Sequence, residues 1–269
     1  MGGLGNQMFQ YACARALSLR LDTDLVLDTS YFADHPTYKF DYSLEVFQIH
    51  VIHPTKIPDF ALVVESYIND RRMKFDREIL TLPDNVFLYG YWQFEGYFSD
   101  FEREIRRDFT LKNPISDLSR AWANRIQNDP MSVSLHIRRT DYINKTNQNI
   151  FHQLPIQYYE RCIGFLRENF PEISLYIFSD DLNWCRQHFN FGVPTYFVDG
   201  NDDSRSHEDM FLMSLCRHHV IANSSFSFWG AWLDNRVGSL IFAPRKTFKT
   251  YDPINESSRL PAQWIIFDD

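Results

Sequence analysis

The sequence contains few cysteines, and their spacing excludes two classes of protein. Its 269 residues include four, Cys13, Cys162, Cys185 and Cys216, and no two of them form a Cys-x-x-Cys pair. Neither a structural zinc site nor a disulfide framework is therefore indicated. We expect buried free thiols in a reducing compartment, which indicates a cytoplasmic protein.

The chain also lacks an excess of basic residues and any long apolar run. Lys plus Arg number 27 against 35 Asp plus Glu, which gives a formal net charge of −8. A nucleic-acid-binding protein would need a basic face, so nucleic acid is not expected as a partner. No stretch approaches the roughly 20 apolar residues that a membrane helix needs. A phosphate site here has to be a local cluster of basic groups.

Two nucleotide-binding motifs are missing from a glycine-rich N-terminus. Residues 2–12 are Gly-Gly-Leu-Gly-Asn-Gln-Met-Phe-Gln-Tyr-Ala. Met8 stands where a dinucleotide fingerprint needs its third glycine, and the Gly-Lys-Ser/Thr of a Walker loop is absent. Glycines before a helix still allow close approach of an anionic ligand, so Gly5 is a candidate contact. The alternative is a glycine-rich end before a structural helix.

The second half of the chain alternates between strands and helices. This alternation predicts a parallel, doubly wound α/β sheet. Strands are expected over 131–137, 174–178, 195–198, 219–222 and 239–243, and helices over 155–169, 181–189, 207–216 and 227–233. The first half is irregular and rich in aromatic residues, with expected strands at 24–28 and 86–91, helices at 97–108 and 117–127, and a linker at 112–116.

Basic residues follow the first strand of this alternating half. The strand runs into His136, the adjacent pair Arg138 and Arg139, and Asp141, with nothing apolar to bury them. Ligands of open α/β sheets bind outside the carboxyl ends of the strands. Because a guanidinium group matches phosphate oxygens two at a time, the arginine pair suits a diphosphate. The alternative is a solvated pair of charges with local carboxylate partners.

Two further strand ends carry polar side chains. Asp180 and Asp181 end one strand, where they would bind a metal, recognise a base or cap a helix. The other end opens a helix, whose amides and serines would hold a phosphate or act only as caps. The candidate residues at this second end are Asn223, Ser224, Ser225 and Phe226.

Four motifs, in order along nearly the whole chain, resemble those of the bacterial alpha-1,2-fucosyltransferases. They are residues 2–12 quoted above, His-Ile-Arg-Arg-Thr-Asp-Tyr at 136–142, Phe-Ser-Asp-Asp-x-x-Trp-Cys at 178–185 and Ala-Asn-Ser-Ser-Phe-Ser-x-Trp-Gly-Ala at 222–231. The His-x-Arg-Arg-x-Asp element is also shared with the alpha-1,6-fucosyltransferases. One such motif would be weak evidence, whereas four in sequence are specific.

The resemblance implies an α/β fold of GT-B type, with two Rossmann-like domains and a cleft between them. Residues 1–115 would form the acceptor-side domain and 116–269 the GDP-fucose-binding domain. The family has a strand before its first motif that this sequence does not contain, so we expect that strand to be missing. The expected cytoplasmic location is bacterial, at the inner face of the membrane if the acceptor is a lipid-linked glycan. The oligomeric state is not indicated.

The implied reaction moves L-fucose from GDP-L-fucose to the 2-hydroxyl of a terminal galactose in a glycan acceptor. It would proceed with inversion and without a cofactor or metal ion. The alternatives are an alpha-1,6-fucosyltransferase, a protein O-fucosyltransferase or a sugar-nucleotide-binding protein without activity. A protein O-fucosyltransferase would be expected in a secretory compartment with disulfides, against the cysteine pattern.

The resemblance also implies roles for the motif residues. Arg138 would hold the β-phosphate, with Ser225 and the neighbouring amides. His136 and one of the pair Asp180 and Asp181 would recognise guanine. Asn6 and Gln7 would lie near the fucose and phosphates, across the cleft.

The catalytic base is the least defined role. The alpha-1,6 relatives place a glutamate shortly after the aspartate of the arginine motif, but no carboxylate lies between Tyr142 and Glu160 here. Asp141 and His152 remain candidates, although Asp141 is expected mainly to pair with Arg139. A dissociative displacement without a dedicated base is the third alternative.

Overall fold

The computed structural model describes residues 1–35, 39–52, 59–66, 73–143, 148–249 and 259–268, without the side chains of Asp141 and Ile143. The chain divides into two compact units. The first comprises Met1–Pro114 and Ile254–Ala262, and the second comprises Ile115–Pro253 and Gln263–Asp269. The assignment of acceptor and donor roles to residues 1–115 and 116–269 stays a prediction.

The first unit is built around a long N-terminal helix and a small parallel sheet. Its described elements are α1 (Leu4–Leu21), α2 (Ser30–Asp34), β1 (Ala61–Val64), β2 (Val86–Tyr89) and α3 (Glu102–Asp108). β1 pairs with β2 in parallel. The strand expected over 24–28 is wrong, because in the described residues Val26 makes an isolated bridge to Ile52 and no ladder extends from it. Val26 is 36% exposed, so no buried face stabilises a longer ladder there.

A buried carboxylate ties α1 to α3. Asp108, fully buried at the end of α3, accepts a hydrogen bond from the hydroxyl of Tyr11 at 2.7 Å and one from Nε of Arg15 at 3.0 Å. Both donors lie on α1, one turn apart. A buried carboxylate needs such partners, and together they fix the glycine-rich start of α1 relative to the rest of this unit.

The second unit has the regular alternation that the sequence predicts. Its strands are β3 (Ser132–Ile137), β4 (Ser174–Ser179), β5 (Thr195–Phe197), β6 (His218–Val220), β7 (Ile241–Pro244) and β8 (Ile265–Phe267). Its helices are α4 (Asp117–Gln127), α5 (Thr140–Ile143), α6 (Ile156–Asn169), α7 (Leu182–His188), α8 (Ser206–Leu215) and α9 (Ser225–Trp232). The terminal strand β8 was not expected from the sequence.

In the described residues these strands form a six-stranded sheet in the order β5-β4-β3-β6-β7-β8, with every pair parallel. All six residues of β3 are buried, because apolar clusters cover both faces of the sheet. The predicted α/β class with a parallel sheet is confirmed. Chain order reverses between β3 and β6, so the carboxyl ends of these two strands border the crevice in which such sheets bind ligands.

The four cysteines are all buried and free, as the sequence predicts. Within the described ranges, no helix combines the length and the apolar character needed to cross a bilayer.

Candidate functional site

Two segments follow the strands that border the crevice of the second unit. The turn after β3 carries Arg138 and Arg139, and the segment after β6 leads into α9. The structure therefore brings together the arginine motif and the serine-rich motif, which are more than 80 residues apart in the sequence. Tyr142 joins them directly, since its hydroxyl donates to the carbonyl oxygen of Asn223 at 2.7 Å.

Asp180 lies directly after β4 and holds the turn that follows β3. Its carboxylate accepts hydrogen bonds from the backbone N–H groups of Arg139 and Thr140, at 2.9 and 3.0 Å, and from the hydroxyl of Thr140. Nε of Arg138 lies 3.4 Å from the same carboxylate. Charge-assisted hydrogen bonds of this kind are short and strong, so Asp180 fixes the path of the chain at both arginines.

Arg139 is held between an acidic and an aromatic side chain. Its Nε lies 3.4 Å from Oδ2 of Asp181, and its guanidinium carbon lies 4.2 Å from the ring centroid of Trp184. Asp181 also caps α7 by accepting from the N–H of Trp184 at 3.0 Å. A guanidinium over an indole is attracted by the quadrupole of the ring. Arg139 is thus an ordered part of the turn and not a solvated charge.

A cavity of about 200 Å³ lies beside the two arginines. It is lined by Ile137, Arg138, Arg139, Gln153, Leu154, Pro155, Ile156, Tyr159, Trp184 and Phe189. The side chain of Arg138 is 26% exposed, so solvent and ligands can reach its guanidinium. The cavity combines aromatic walls with two positive charges, which suits an anionic group attached to a flat ring.

His136 is buried on β3, beside the start of α9. Its ring lies 5.6 Å from that of Phe226, and its Nδ1 has no hydrogen-bond partner among the described residues. Burial and the nearby charge of Arg138 lower the pKa of His136 to about 3, against the opposing effect of Asp180. The imidazole is therefore neutral at physiological pH. An unsatisfied buried nitrogen is costly unless a ligand supplies its partner.

The first turn of α9 has the features of an anion site. Ser224 is the N-cap residue, and its Oγ accepts from the N–H of Phe226 at 3.3 Å. Ser225 is the first helical residue and is partly exposed. Backbone N–H groups at a helix N-terminus point outward and carry a partial positive charge, which favours phosphate.

Asn223 has a structural task within the second unit. Its Nδ2 donates to the carbonyl oxygens of His152 and Thr247, at 2.8 and 3.0 Å. Both donor positions of its amide are used in this way. Asn223 therefore ties the segment after β6 to two neighbouring loops and orients the start of α9.

A buried polar chain from β3 through β6 to the segment after α9 was not expected from the sequence. Oγ of Ser134 lies 2.8 Å from Nδ1 of His219, whose Nε2 lies 3.0 Å from Oδ2 of Asp234. Arg236 completes the chain, since its Nε donates to Asp234 at 2.7 Å and its Nη atoms donate to carbonyl oxygens at the end of α8. Hydrogen bonds from His219, Arg236 and Ser239 hold the pKa of Asp234 well below its usual range, even though burial opposes that shift. The chain fixes α8 and α9 to the sheet.

In the first unit, the motif residues at the start of α1 differ in what their side chains do. The amide of Gln7 is buried and fully used, because it donates to the carbonyl oxygens of Gly2 and Asp41 and accepts from the N–H of Ser43. Gly5 is buried in the first turn of α1. Asn6 has a side-chain partner instead, since its Oδ1 accepts from Nε2 of Gln93 at 2.7 Å.

The remaining features of the predicted site are the two candidate bases and the possible metal ligands. The side chain of Asp141 lies outside the described part of the structure. His152 is partly exposed in the loop before α6, and its N–H donates to the carbonyl oxygen of Thr247 at 3.0 Å. In the described residues, no group of three or more His, Cys, Asp or Glu is arranged to hold a metal ion.

The sequence is similar to known glycosyltransferases over nearly its whole length. The model of the family described as Glycosyl transferase family 11 matches residues 1–265. An alpha-1,2-colitosyltransferase of Escherichia coli is 31% identical over 286 residues, which cover 98% of this chain and 96% of the relative. The O-antigen biosynthesis glycosyltransferase WbnK of Escherichia coli is 31% identical, with 98% and 97% covered. Galactoside alpha-(1,2)-fucosyltransferase 2 of Sus scrofa is 23% identical, with 98% and 77% covered.

Proposed function

We propose a reaction for this protein from its family. The chain belongs to glycosyl transferase family 11, because the family model matches nearly its whole length. The resemblance predicted from the four motifs is thereby confirmed. The protein is a glycosyltransferase, and we propose that its donor is GDP-L-fucose. We further propose that it transfers L-fucose, with inversion, to the 2-hydroxyl of a terminal galactoside.

The observation that carries this proposal is the set of groups at the carboxyl ends of β3 and β6. Three groups lie where an open α/β sheet binds its ligand: Arg138, the first turn of α9, and Nδ1 of His136, which has no partner in the part of the chain that the structure describes. As the glycosidic bond to GDP breaks, negative charge grows on the β-phosphate. Preorganised cations and amides that face this charge lower the barrier by several kcal/mol, typically about 3 for one donor group.

The roles of the remaining motif residues follow from their contacts. Asp180 positions the arginine turn, and Arg139, stacked on Trp184, supports it. His136 is neutral, so its Nδ1, which has no partner among the described residues, can donate or accept one hydrogen bond with the nucleotide, according to the tautomer. Asn6 is the residue of the glycine-rich motif that we assign to the donor, whereas Gln7 supports the backbone beside it.

The acceptor hydroxyl must lose a proton during transfer. Asp141 stays a candidate for this role, together with His152 and a displacement without a dedicated base. A dissociative step makes the sugar strongly electrophilic, so early deprotonation of the acceptor contributes less to the rate.

A second candidate donor is the GDP derivative of colitose, a sugar that lacks the 3-hydroxyl of L-fucose. The similarity at 31% identity to an alpha-1,2-colitosyltransferase favours it, because that relative is matched over 98% of this chain. The two donors share the nucleotide and differ only in the sugar. The same phosphate site would serve both.

One assay separates these alternatives. The purified protein is incubated with GDP-fucose or GDP-colitose, each with and without a panel of β-galactosides, and released GDP is measured. We expect galactoside-dependent release with GDP-fucose and a product whose mass increases by one deoxyhexose. NMR should show an α-linkage to the 2-hydroxyl. Release only with GDP-colitose would replace the donor, and tight donor binding without release would indicate a binding protein without activity.

The cytoplasmic location and the glycan acceptor belong to this proposal as well. If the acceptor is lipid-linked, the activity should increase when the galactoside is presented on vesicles. The Arg138→Ala variant provides the matched inactive control in each assay.

A further inference from the structure

The turn after β2 in the first unit has a strained backbone. Trp92 has a φ of 56° although it is not glycine, and it is 2% exposed. A bulky residue with positive φ is a genuine outlier, and such strain of about 1–3 kcal/mol persists only where the surrounding structure enforces it. Residues of this kind cluster at functional sites. The residue that follows is Gln93.

A buried glutamate enforces this conformation. Glu65 lies directly after β1, and its carboxylate accepts from the N–H groups of Tyr91 and Trp92, at 2.6 and 3.1 Å. A Cβ on Gly90 would lie 2.3 Å from Cβ of Glu65, so the turn also requires glycine at that position. The turn therefore presents Gln93 in one fixed place.

Gln93 connects a cation to the glycine-rich motif. Arg259 donates from Nη2 to Oε1 of Gln93 at 3.1 Å and from Nε to its carbonyl oxygen at 3.3 Å. Nε2 of Gln93 donates to Oδ1 of Asn6 at 2.7 Å. These three residues form a single hydrogen-bonded chain within the first unit, from Arg259 through Gln93 to Asn6.

The direction of this chain is fixed by chemistry. A guanidinium can only donate, so the amide oxygen of Gln93 has to face Arg259. The NH₂ group of Gln93 then faces Asn6, which has to accept the hydrogen bond with its side-chain oxygen. The NH₂ group of Asn6 consequently points away from Gln93 and lies next to Gly2. A Cβ on Gly2 would be 2.5 Å from Nδ2 of Asn6.

We propose that Gln93 and Arg259 are positioning residues that hold the amide of Asn6 so that it donates hydrogen bonds to the donor substrate. This inference rests on the proposed function for the role of Asn6 itself. The acceptor that such an NH₂ group fits is an oxygen of the nucleotide sugar, either on a phosphate or on the sugar. Asn6 then acts as a hydrogen-bond donor and not as a base.

A double-mutant cycle tests the proposal in the full-length protein. Gln93→Leu should lower kcat about tenfold, the effect of one lost hydrogen bond. The same change in an Asn6→Ala background should lower kcat less than about twofold, because Gln93 acts through Asn6. Gln93→Glu keeps a partner for Arg259 but cannot donate to Asn6, so it should lose as much rate as Gln93→Leu without a lower Tm. Arg259→Lys should retain more activity than Arg259→Gln, which does not fix the amide.

Gln48→Leu is the matched control, since Gln48 is an exposed glutamine of the same unit whose amide, among the described residues, donates to the carbonyl oxygen of Leu111 alone, at 3.4 Å. It should leave kcat unchanged. The proposal would be overturned if Gln93→Leu lowered kcat by the same factor with and without Asn6→Ala. It would also be overturned if a lower Tm of the Gln93 variants accounted for their loss of kcat.

A substrate-free measurement separates this proposal from the proposed function. In the NMR spectrum of the wild-type protein, the side-chain NH₂ protons of Asn6 should show Overhauser contacts to the Hα protons of Gly2. Contacts to the side chain of Gln93 instead would refute the orientation, whatever the activity. Absence of GDP release from either donor by the wild-type protein would refute the proposed function but not the orientation.

Discussion

Replacing Asp180 by asparagine tests whether one carboxylate sets the position of Arg138. The change keeps the volume of the side chain but removes its charge. The carboxylate accepts two backbone N–H groups and one hydroxyl, and its side chain is 15% exposed. Asparagine has one side-chain oxygen, so its NH₂ group would face one of the two backbone N–H donors, and that hydrogen bond would be lost. One lost charge-assisted hydrogen bond costs about 1.5–3 kcal/mol, which corresponds to a rate loss of roughly ten- to a hundredfold.

The assay is steady-state GDP release by Asp180→Asn at saturating donor and acceptor. A displaced Arg138 stabilises the leaving diphosphate less, so kcat should fall even when the donor site is full. Asp181→Asn is the matched control, because asparagine caps a helix as well as aspartate does. It loses mainly the partly exposed pair with Arg139, which contributes under about 1 kcal/mol. Its kcat should stay within about threefold of the wild type.

The same measurement distinguishes positioning from base recognition. If Asp180 instead recognises guanine, Asp180→Asn should raise the KM for the donor and leave kcat at saturation almost unchanged. That pattern, or an equal loss of kcat in both variants, would refute the positioning role. Thermal unfolding of both variants separates a local effect on the turn from a general loss of stability.

Four other changes test the site. Arg138→Ala should lower the rate at least about a hundredfold, as removal of a group that stabilises an oxyanion does. Arg138→Lys should restore little of that rate, since an ammonium lacks the planar fork, and near-normal turnover would contradict this assignment. Activity should be complete in excess EDTA, because Asp180 and Asp181 already bind the two arginines and backbone N–H groups; a loss that manganese reverses would refute it. His136 has a pKa lowered from 6.5 to about 3, so the folded state stays neutral while the unfolded chain takes up a proton. The stability that the neutral His136 contributes is present above pH 6.5 and is lost as the pH falls toward 3. Between pH 7 and pH 5, the Tm of His136→Gln should therefore decrease less than the Tm of the wild type. Parallel decreases of the two Tm values would contradict this.

The alternation of the second unit could be predicted because its signal is local. The buried strand β4 has a continuous apolar run, β3 alternates apolar residues with Ser and His, and the helix α6 between them has an amphipathic pattern over 14 residues. The same reasoning failed at 24–28, where three apolar residues looked like a strand. What decides such a short segment is the presence of a neighbouring strand, which the local pattern does not contain.

The site could be predicted in part for a similar reason. The arginines and the serine-rich turn stood at strand ends, so the topology of a parallel sheet was sufficient to place them together. The partners of these residues could not be predicted in the same way. Whether Asn223 binds a ligand or ties two loops together depends on carbonyl oxygens at positions 152 and 247, which no spacing rule connects. Arg259 and Gln93 are separated by 166 residues and belong to no motif that the sequence displays.

Two turns of this protein, one in each unit, are built in the same way. Glu65 follows β1 and accepts two consecutive N–H groups from the turn after β2, while Asp180 follows β4 and accepts two consecutive N–H groups from the turn after β3. In each case the carboxyl ends of neighbouring parallel strands place the carboxylate beside the turn. Each turn carries a polar side chain, Gln93 in one and Arg138 in the other, that we assign to positioning or binding the donor. Because each carboxylate accepts with both of its oxygens and an amide has only one, conservative amides at Glu65 and Asp180 should disturb these turns more than their small size change suggests.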